Sequence, residues 1–248
     1  MHMHRIGRLI RVAVLAAALA PIGCGSNTQV TVSAAASLRD VLPPLIGGAR
    51  LNIGGSGELA AQIREGAPVD VVVLADGKIV DALVADGLVE RPRSIATNRL
   101  AIIVPRDNPA AITRAADLMR DGVKLVVAQP SVPVGDYARQ ALARMHLSPA
   151  LANVVSNEAS VAGVVAKVRL GEADAGIVYV TDATAAAGDV RTIPIPPHAQ
   201  PVIVYSAAVV SSTAHRTRAM AIIDTLTGTT GQTALRAAGF GPRPVTSP

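Results

Sequence analysis

The chain has 248 residues, 50% apolar and 17% charged, with a formal net charge of +5, one cysteine, no tryptophan, one phenylalanine and three tyrosines. The single Cys24 excludes an intramolecular disulfide and a thiolate metal cluster; the scarcity of rings argues against a stacking platform for bases or sugars. Lysines and arginines are scattered rather than gathered in a basic run, so a nucleic-acid footprint is not expected, and the apolar content is that of a folded chain.

Residues 1–23 read as a signal peptide: Arg5, Arg8 and Arg11 form a basic region, and 12–20 is an apolar stretch too short to span a bilayer comfortably. Export is therefore expected, and loss of three arginines takes the charge from +5 to +2. Pro21-Ile22-Gly23-Cys24 resembles the lipobox of bacterial lipoproteins, with Pro21 where leucine is usual. A cut after Ala20 would leave Pro21 first, which signal peptidases disfavour. The expectation is a protein lipidated at Cys24, held on the extracytoplasmic face of the cell membrane or in the periplasm, with 24–28 as a tether.

About 225 residues remain, enough for one large or two modest domains. Residues 29–34 read as a strand, 38–46 as a short helix disturbed by Pro43 and Pro44, and 51–54 as a strand. A helix over 59–65 stops at Gly66, 69–74 is a β-branched run of the kind buried on both faces, and 79–85 is helical again. Then come a strand over 100–104, a helix around 115–119, a strand over 123–128 and a helix over 137–145. This second unit continues through a helix over 161–170 and a strand over 175–180. A strand over 202–210 and helices over 217–226 and 230–237 would complete the first unit if the chain crosses back. Such alternation predicts α/β architecture with mainly parallel sheets, and no solenoid period is visible.

Two serines stand directly after short strands, Ser37 in Ala34-Ala35-Ala36-Ser37-Leu38 and Ser56 in Gly54-Gly55-Ser56-Gly57. Helix N-termini carry unpartnered N–H groups and the positive end of the helix dipole, so two that converge can hold a small dianion, and a serine adds a hydroxyl donor. The competing role for each is a plain N-cap. The glycines around Ser56 and the alanines before Ser37 leave room for a guest.

These two stretches, followed by Gln62-Ile63-Arg64-Glu65-Gly66-Ala67-Pro68-Val69-Asp70, by Val132-Pro133-Val134-Gly135 with Tyr137-Ala138, and by Gly176-Ile177-Val178-Tyr179 with Asp182-Ala183, resemble the molybdate-binding proteins of bacterial ABC transporters over nearly all of the mature chain. The resemblance implies a two-lobed periplasmic-binding-protein fold, each lobe a mixed, mainly parallel sheet flanked by helices, joined by a two-strand hinge. Lobe 1 would comprise 29–102 and 207–248 and lobe 2 103–206, with hinge strands near 101–104 and 202–206. Oxyanion ligands carried over by motif are the hydroxyls of Ser37, Ser56 and Tyr179 and the main-chain N–H groups of Val134 and Val161. The segment between Ser37 and Ser56 is shorter than the family usually shows, so its first helix is expected to be truncated or redirected.

The implied function is capture of molybdate, and of tungstate, for an ABC permease, by a monomer that needs no cofactor, holds no cation and is not an enzyme. A receptor for another tetrahedral oxyanion such as sulfate is the alternative. An enzyme would need a base beside Ser37 or paired carboxylates among Glu58, Asp70 and Asp76, whereas His146, His198 and His215 fall in no recognisable motif. A regulator's sensing domain would need a DNA-binding helix pair, for which an exported chain has no place.

Overall fold

A computed structural model describes residues 29–244; the signal peptide and the whole of the tether, Cys24 included, lie outside the described residues. The strands are β1 (Thr31–Ala35), β2 (Arg50–Gly54), β3 (Val71–Leu74), β4 (Arg93–Asn98), β5 (Leu100–Pro105), β6 (Leu125–Ala128), β7 (Val154–Glu158), β8 (Ala175–Tyr179), β9 (Val190–Pro194) and β10 (Ile203–Val209). The helices are α1 (Ser56–Arg64), α2 (Gly77–Ala85), α3 (Pro133–Arg144), α4 (Val161–Arg169), α5 (Val180–Ala185), α6 (Arg216–Thr227) and α7 (Thr229–Ala237).

Two five-stranded sheets result, ordered β2-β1-β3-β10-β4 and β7-β6-β8-β5-β9. In the first, β1 pairs in parallel with β2 and β3, while β10 runs antiparallel to both β3 and β4. The second repeats this plan, with β6 parallel to β7 and β8 and with β5 antiparallel to β8 and β9. In each sheet, then, four strands point one way, and the one reversed strand is the one that arrives from the other lobe. The central strands Val71–Leu74 and Leu125–Ala128 are wholly buried, as expected of apolar runs covered on both faces.

The crossings are shorter than the sequence suggests. Only Arg99 separates β4 in the first sheet from β5 in the second, and Gln200 to Val202 lead into β10. Gln200 ties the two crossings together: its amide oxygen accepts from Leu100 N–H at 2.8 Å, and its amide nitrogen donates to Leu100 O at 2.9 Å. The sequence-derived lobe boundaries after 102 and before 207 therefore cut through β5 and β10, each of which belongs entirely to one sheet. Apolar strands do not show in their own sequence which sheet receives them.

The helix expected over 38–46 is a second difference. Two 3-10 turns, Ala36–Leu38 and Pro43–Leu45, stand there, because adjacent prolines supply no N–H for an α-helical ladder. Leu38, Leu42, Leu45 and Ile46 are buried all the same. The segment around 115–119 is likewise a 3-10 helix, Ala115–Met119. Strands β4, β7 and β9 and helix α5 are additional to the expected elements; β7 alternates half-buried with exposed positions, and β9 is exposed at three of its five.

At the edge of the first lobe remote from the crossings, the Asp70 carboxylate accepts from Thr31 N–H at 2.7 Å, from the Thr213 hydroxyl and from His215 Nδ1 at 3.1 Å. Burial opposes its charge, but these hydrogen bonds prevail and hold the carboxyl below its ordinary value. Asp70→Ala is expected to cost about 1–2 kcal/mol, since it leaves three half-buried donors without their acceptor. Urea denaturation at pH 7 measures this. Because the folded-state value is depressed, the wild-type advantage is present above the ordinary carboxylate range and lost as pH falls through the lowered value.

Candidate functional site

The C-terminal ends of the parallel strands of both sheets face each other, the position at which open α/β sheets bind ligands. Between them lies a small cavity of about 30 Å³. Lobe 1 contributes Ala35, Ala36 and Ser37 after β1, Gly54, Gly55 and Ser56 between β2 and α1, and Ala75 after β3. Lobe 2 contributes Val132, Pro133 and Val134 at the start of α3, Ser160 and Val161 at the start of α4, and Tyr179 at the end of β8. By sheet position β1, β2 and β3 correspond to β6, β7 and β8, so equivalent connections of the two lobes wall the same space. All five residues singled out from sequence, Ser37, Ser56, Val134, Val161 and Tyr179, line it.

The cavity is far smaller than the range of about 300–1,000 Å³ that ordinary ligand pockets occupy, and suits an inorganic ion rather than a larger metabolite. The lobes are in near contact around it. A β-carbon added at Gly55 would lie 3.9 Å from Ala159 O, and one at Gly57 3.7 Å from Ser131 O, both across the interlobe boundary. Lys78 and Asp136 form a solvated ion pair over the same boundary at 3.7 Å.

Helix starts supply main-chain donors. Ser56 is the first residue of α1, Val134 the second of α3 and Val161 the first of α4, so none of their N–H groups has a partner within its own helix. Gly135 shows why α3 can begin so close to the cavity. A β-carbon there would fall 2.1 Å from Gln129 O and 2.5 Å from Ala128 O, so only glycine lets the helix pack onto the end of β6.

The hydroxyls are placed by distinct means. Ser56 is buried and accepts a hydrogen bond from Ala75 N–H at 3.1 Å rather than capping its helix, whose N-cap is Gly55. Ser37, half-buried in the 3-10 turn Ala36–Leu38, lies 2.7 Å from the Tyr205 hydroxyl. It does not start an α-helix, contrary to the sequence reading, so its hydroxyl is the donor it brings. Tyr179 is 3% exposed, and among the described residues its hydroxyl has no hydrogen-bond partner. Burial first, then the neighbouring Tyr205 and Tyr137, holds its pKa well above the ordinary phenol value, so it stays protonated and able to donate.

Every polar side chain on the cavity wall is neutral, and no lysine or arginine lines it. Nor does any histidine. Asp70 and Asp76, considered from sequence as paired carboxylates, are separated by the whole length of β3: Asp70 is engaged as described above and Asp76 caps α2 through Lys78 N–H at 2.8 Å. Among the described residues no group of histidine, cysteine, aspartate and glutamate could hold a metal ion. The arrangement can do one thing well, which is to surround a small, fully deprotonated anion with donors.

Sequence reading missed two features beside the cavity. One is the polar chain Tyr205, Asn98 and Thr181 behind Ser37. The other is Asp182, whose Oδ2 is buried without a partner and whose pKa burial pushes up to about 7. Tyr205 falls in the apolar strand expected over 202–210, Asn98 and Thr181 in no expected element, and Asp182 in a motif of the resemblance that gives it no role. The signal available was the lone tyrosine inside the run 202–210.

The profile of a family described as bacterial extracellular solute-binding protein matches residues 49–241. Over 253 aligned residues the chain is 36% identical to the molybdate-binding protein ModA of Mycobacterium tuberculosis, covering 92% of this chain and 94% of the relative. The periplasmic molybdate-binding protein of Azotobacter vinelandii superposes with a TM-score of 0.76 at 23% identity, over 86% of this chain and 98% of that one. The sulfate-binding protein SubI of M. tuberculosis gives 0.74 at 20% identity, over 86% of each chain. The two structural likenesses show a shared two-lobed binding-protein fold.

Proposed function

We propose, from the premise that this chain belongs to the bacterial extracellular solute-binding proteins and among them to the molybdate-binding proteins of ABC transporters, that it captures molybdate, and also tungstate, outside the cytoplasmic membrane and delivers it to an ABC permease. The observation that carries the reading is the buried, unpartnered Tyr179 hydroxyl on a cavity walled by neutral donors. Ser37, Ser56 and Tyr179 donate through hydroxyls, and Val134 and Val161 through main-chain N–H groups.

Hydrogen bonds to an ionised acceptor are roughly twice as strong as neutral ones, and a dry cleft strengthens them further, so five dipoles substitute for a counter-charge. Selectivity then rests on size and protonation. Molybdate and tungstate are nearly equal in dimension, sulfate is smaller and would leave donors out of reach, and a protonated phosphate would need one of these donor groups to turn and accept. Because the anion touches both lobes only when they meet, it favours the closed state, which the permease reads. Lipidation at Cys24 would keep the receptor, acting as a monomer, near that permease.

Sulfate is the rival, since fold likeness is nearly the same for a sulfate-binding and a molybdate-binding structure. Calorimetric titration of protein lacking residues 1–24 with molybdate, tungstate, sulfate and phosphate separates them. Tight binding of the first two alone is expected. Preference for sulfate or phosphate would overturn the specificity, and no binding of any of the four would overturn the receptor reading.

A further inference from the structure

Serine hydroxyls can give or take a hydrogen bond, whereas a fully deprotonated oxyanion can only accept. Which part each serine plays is therefore decided by its partner on the protein side. For Ser56 that partner is Ala75 N–H at 3.1 Å, a group that can only donate, so the serine proton is left for the cavity. For Ser37 the partner is the Tyr205 hydroxyl at 2.7 Å, which could act either way.

The direction is set two residues further back. Arg99 N–H donates to Asn98 Oδ1 at 2.8 Å, which turns the Asn98 amide nitrogen the other way. That nitrogen donates to Thr181 Oγ1 at 3.0 Å and to the Tyr205 oxygen at 3.3 Å. Tyr205 thus accepts from Asn98, and its own proton falls to Ser37 Oγ.

We propose that Asn98 and Tyr205 are positioning residues that make Ser37 an obligate donor to the bound anion. The inference rests on the oxyanion-receptor reading and extends it to residues that do not line the cavity. Tyr205 is fully buried and held by edge-on contacts with Phe240, at 5.1 Å between ring centres, and Tyr179, at 6.1 Å. Burial keeps its phenol protonated. Asn98 ends β4 immediately before the crossing, Tyr205 lies on the crossing strand β10, and Thr181 belongs to α5 of the other lobe. The relay therefore spans the hinge and reaches Ser37 through Tyr205.

Tyr205→Phe removes the hydroxyl and keeps the ring, so a comparison of Tyr205→Phe, Ser37→Ala and the double variant isolates the coupling. Molybdate affinity by calorimetry is expected to fall about tenfold in Tyr205→Phe, with the ligand-free melting temperature shifted by only a few degrees. In the Ser37→Ala background the same change should cost less than twofold, because nothing remains to be oriented. Asn98→Asp replaces the donor by an acceptor of the same shape and should weaken binding at least as much as Tyr205→Phe. Undiminished affinity in either single variant, or an equal penalty with and without Ser37, would overturn the relay. If the wild type itself ignores molybdate, the receptor reading fails instead.

Discussion

Replacing Ser56 with alanine is expected to weaken molybdate binding by about 10- to 100-fold while leaving the protein folded. Ser56 is 3% exposed, on a wall without any positive side chain. A hydrogen bond to a charged acceptor contributes roughly 1.5–3 kcal/mol, and here no neighbouring lysine or arginine can take up the lost interaction. The substitution also strips Ala75 N–H of its partner, so part of the loss is the cost of an unsatisfied donor inside a closed cleft. Folding is affected less. The N-cap of α1 is Gly55, not Ser56, and alanine is a better helix former than serine. Calorimetry on Ser56→Ala, with a thermal melt as control, tests both halves. Affinity within twofold of the wild type would remove Ser56 from the ligand shell.

Five of the lining residues were legible because each stands at the end of a strand or near the start of a helix, in a stretch that a family motif marks. Ser56 carries glycines on both sides, and Val134 lies between Pro133 and Gly135, whose lack of a side chain is demanded by the carbonyls at the end of β6. What was not legible depends on which strands become neighbours. Tyr205 sits in the apolar run Ile203–Val209 and looks like core until β10 inserts between β3 and β4, with Tyr205 opposite Ala96 and Ile203 opposite Asn98. Only that register brings Tyr205 and Asn98 together, and only the crossing at Arg99 brings Asn98 to Thr181 of the other lobe.

The first helix shows the converse limit. Residues 38–46 read as a short helix that Pro43 and Pro44 disturb. The structure keeps Leu38, Leu42, Leu45 and Ile46 buried and dispenses with the α-helical ladder, since burial of an apolar face needs only the right side chains inward. Ser37 consequently lacks the dipole of a full helix behind it. That increases the weight resting on its hydroxyl and on whatever orients it.

Asp182 should make the ligand-free protein less stable as pH rises, and Asp182→Asn should remove the effect. Its Oδ2 is buried without a partner in a crevice that also holds Ser37, with Asp40 on the opposite lobe. Burial, with repulsion from Asp40 added, pushes its carboxyl from 3.8 to about 7, against the backbone N–H groups of Tyr179 and Asp182 that favour the charged form. Between those two values the folded protein holds a proton that the unfolded chain has released, so stability declines through this window and the contribution is gone above pH 7. The full displacement corresponds to at most about 4 kcal/mol, and about 1–3 kcal/mol is expected because the residue as a whole is only half-buried. Asparagine keeps the shape and never ionises. Urea denaturation should therefore find Asp182→Asn more stable than wild type at pH 8, with the gap closing toward pH 4; an equal gap at both values would mean an ordinary, ionised carboxylate. The same charge bears on the ligand. A carboxylate formed in the crevice behind Ser37 repels an arriving dianion, so wild-type affinity for molybdate should fall between pH 6 and 8, while that of Asp182→Asn stays level.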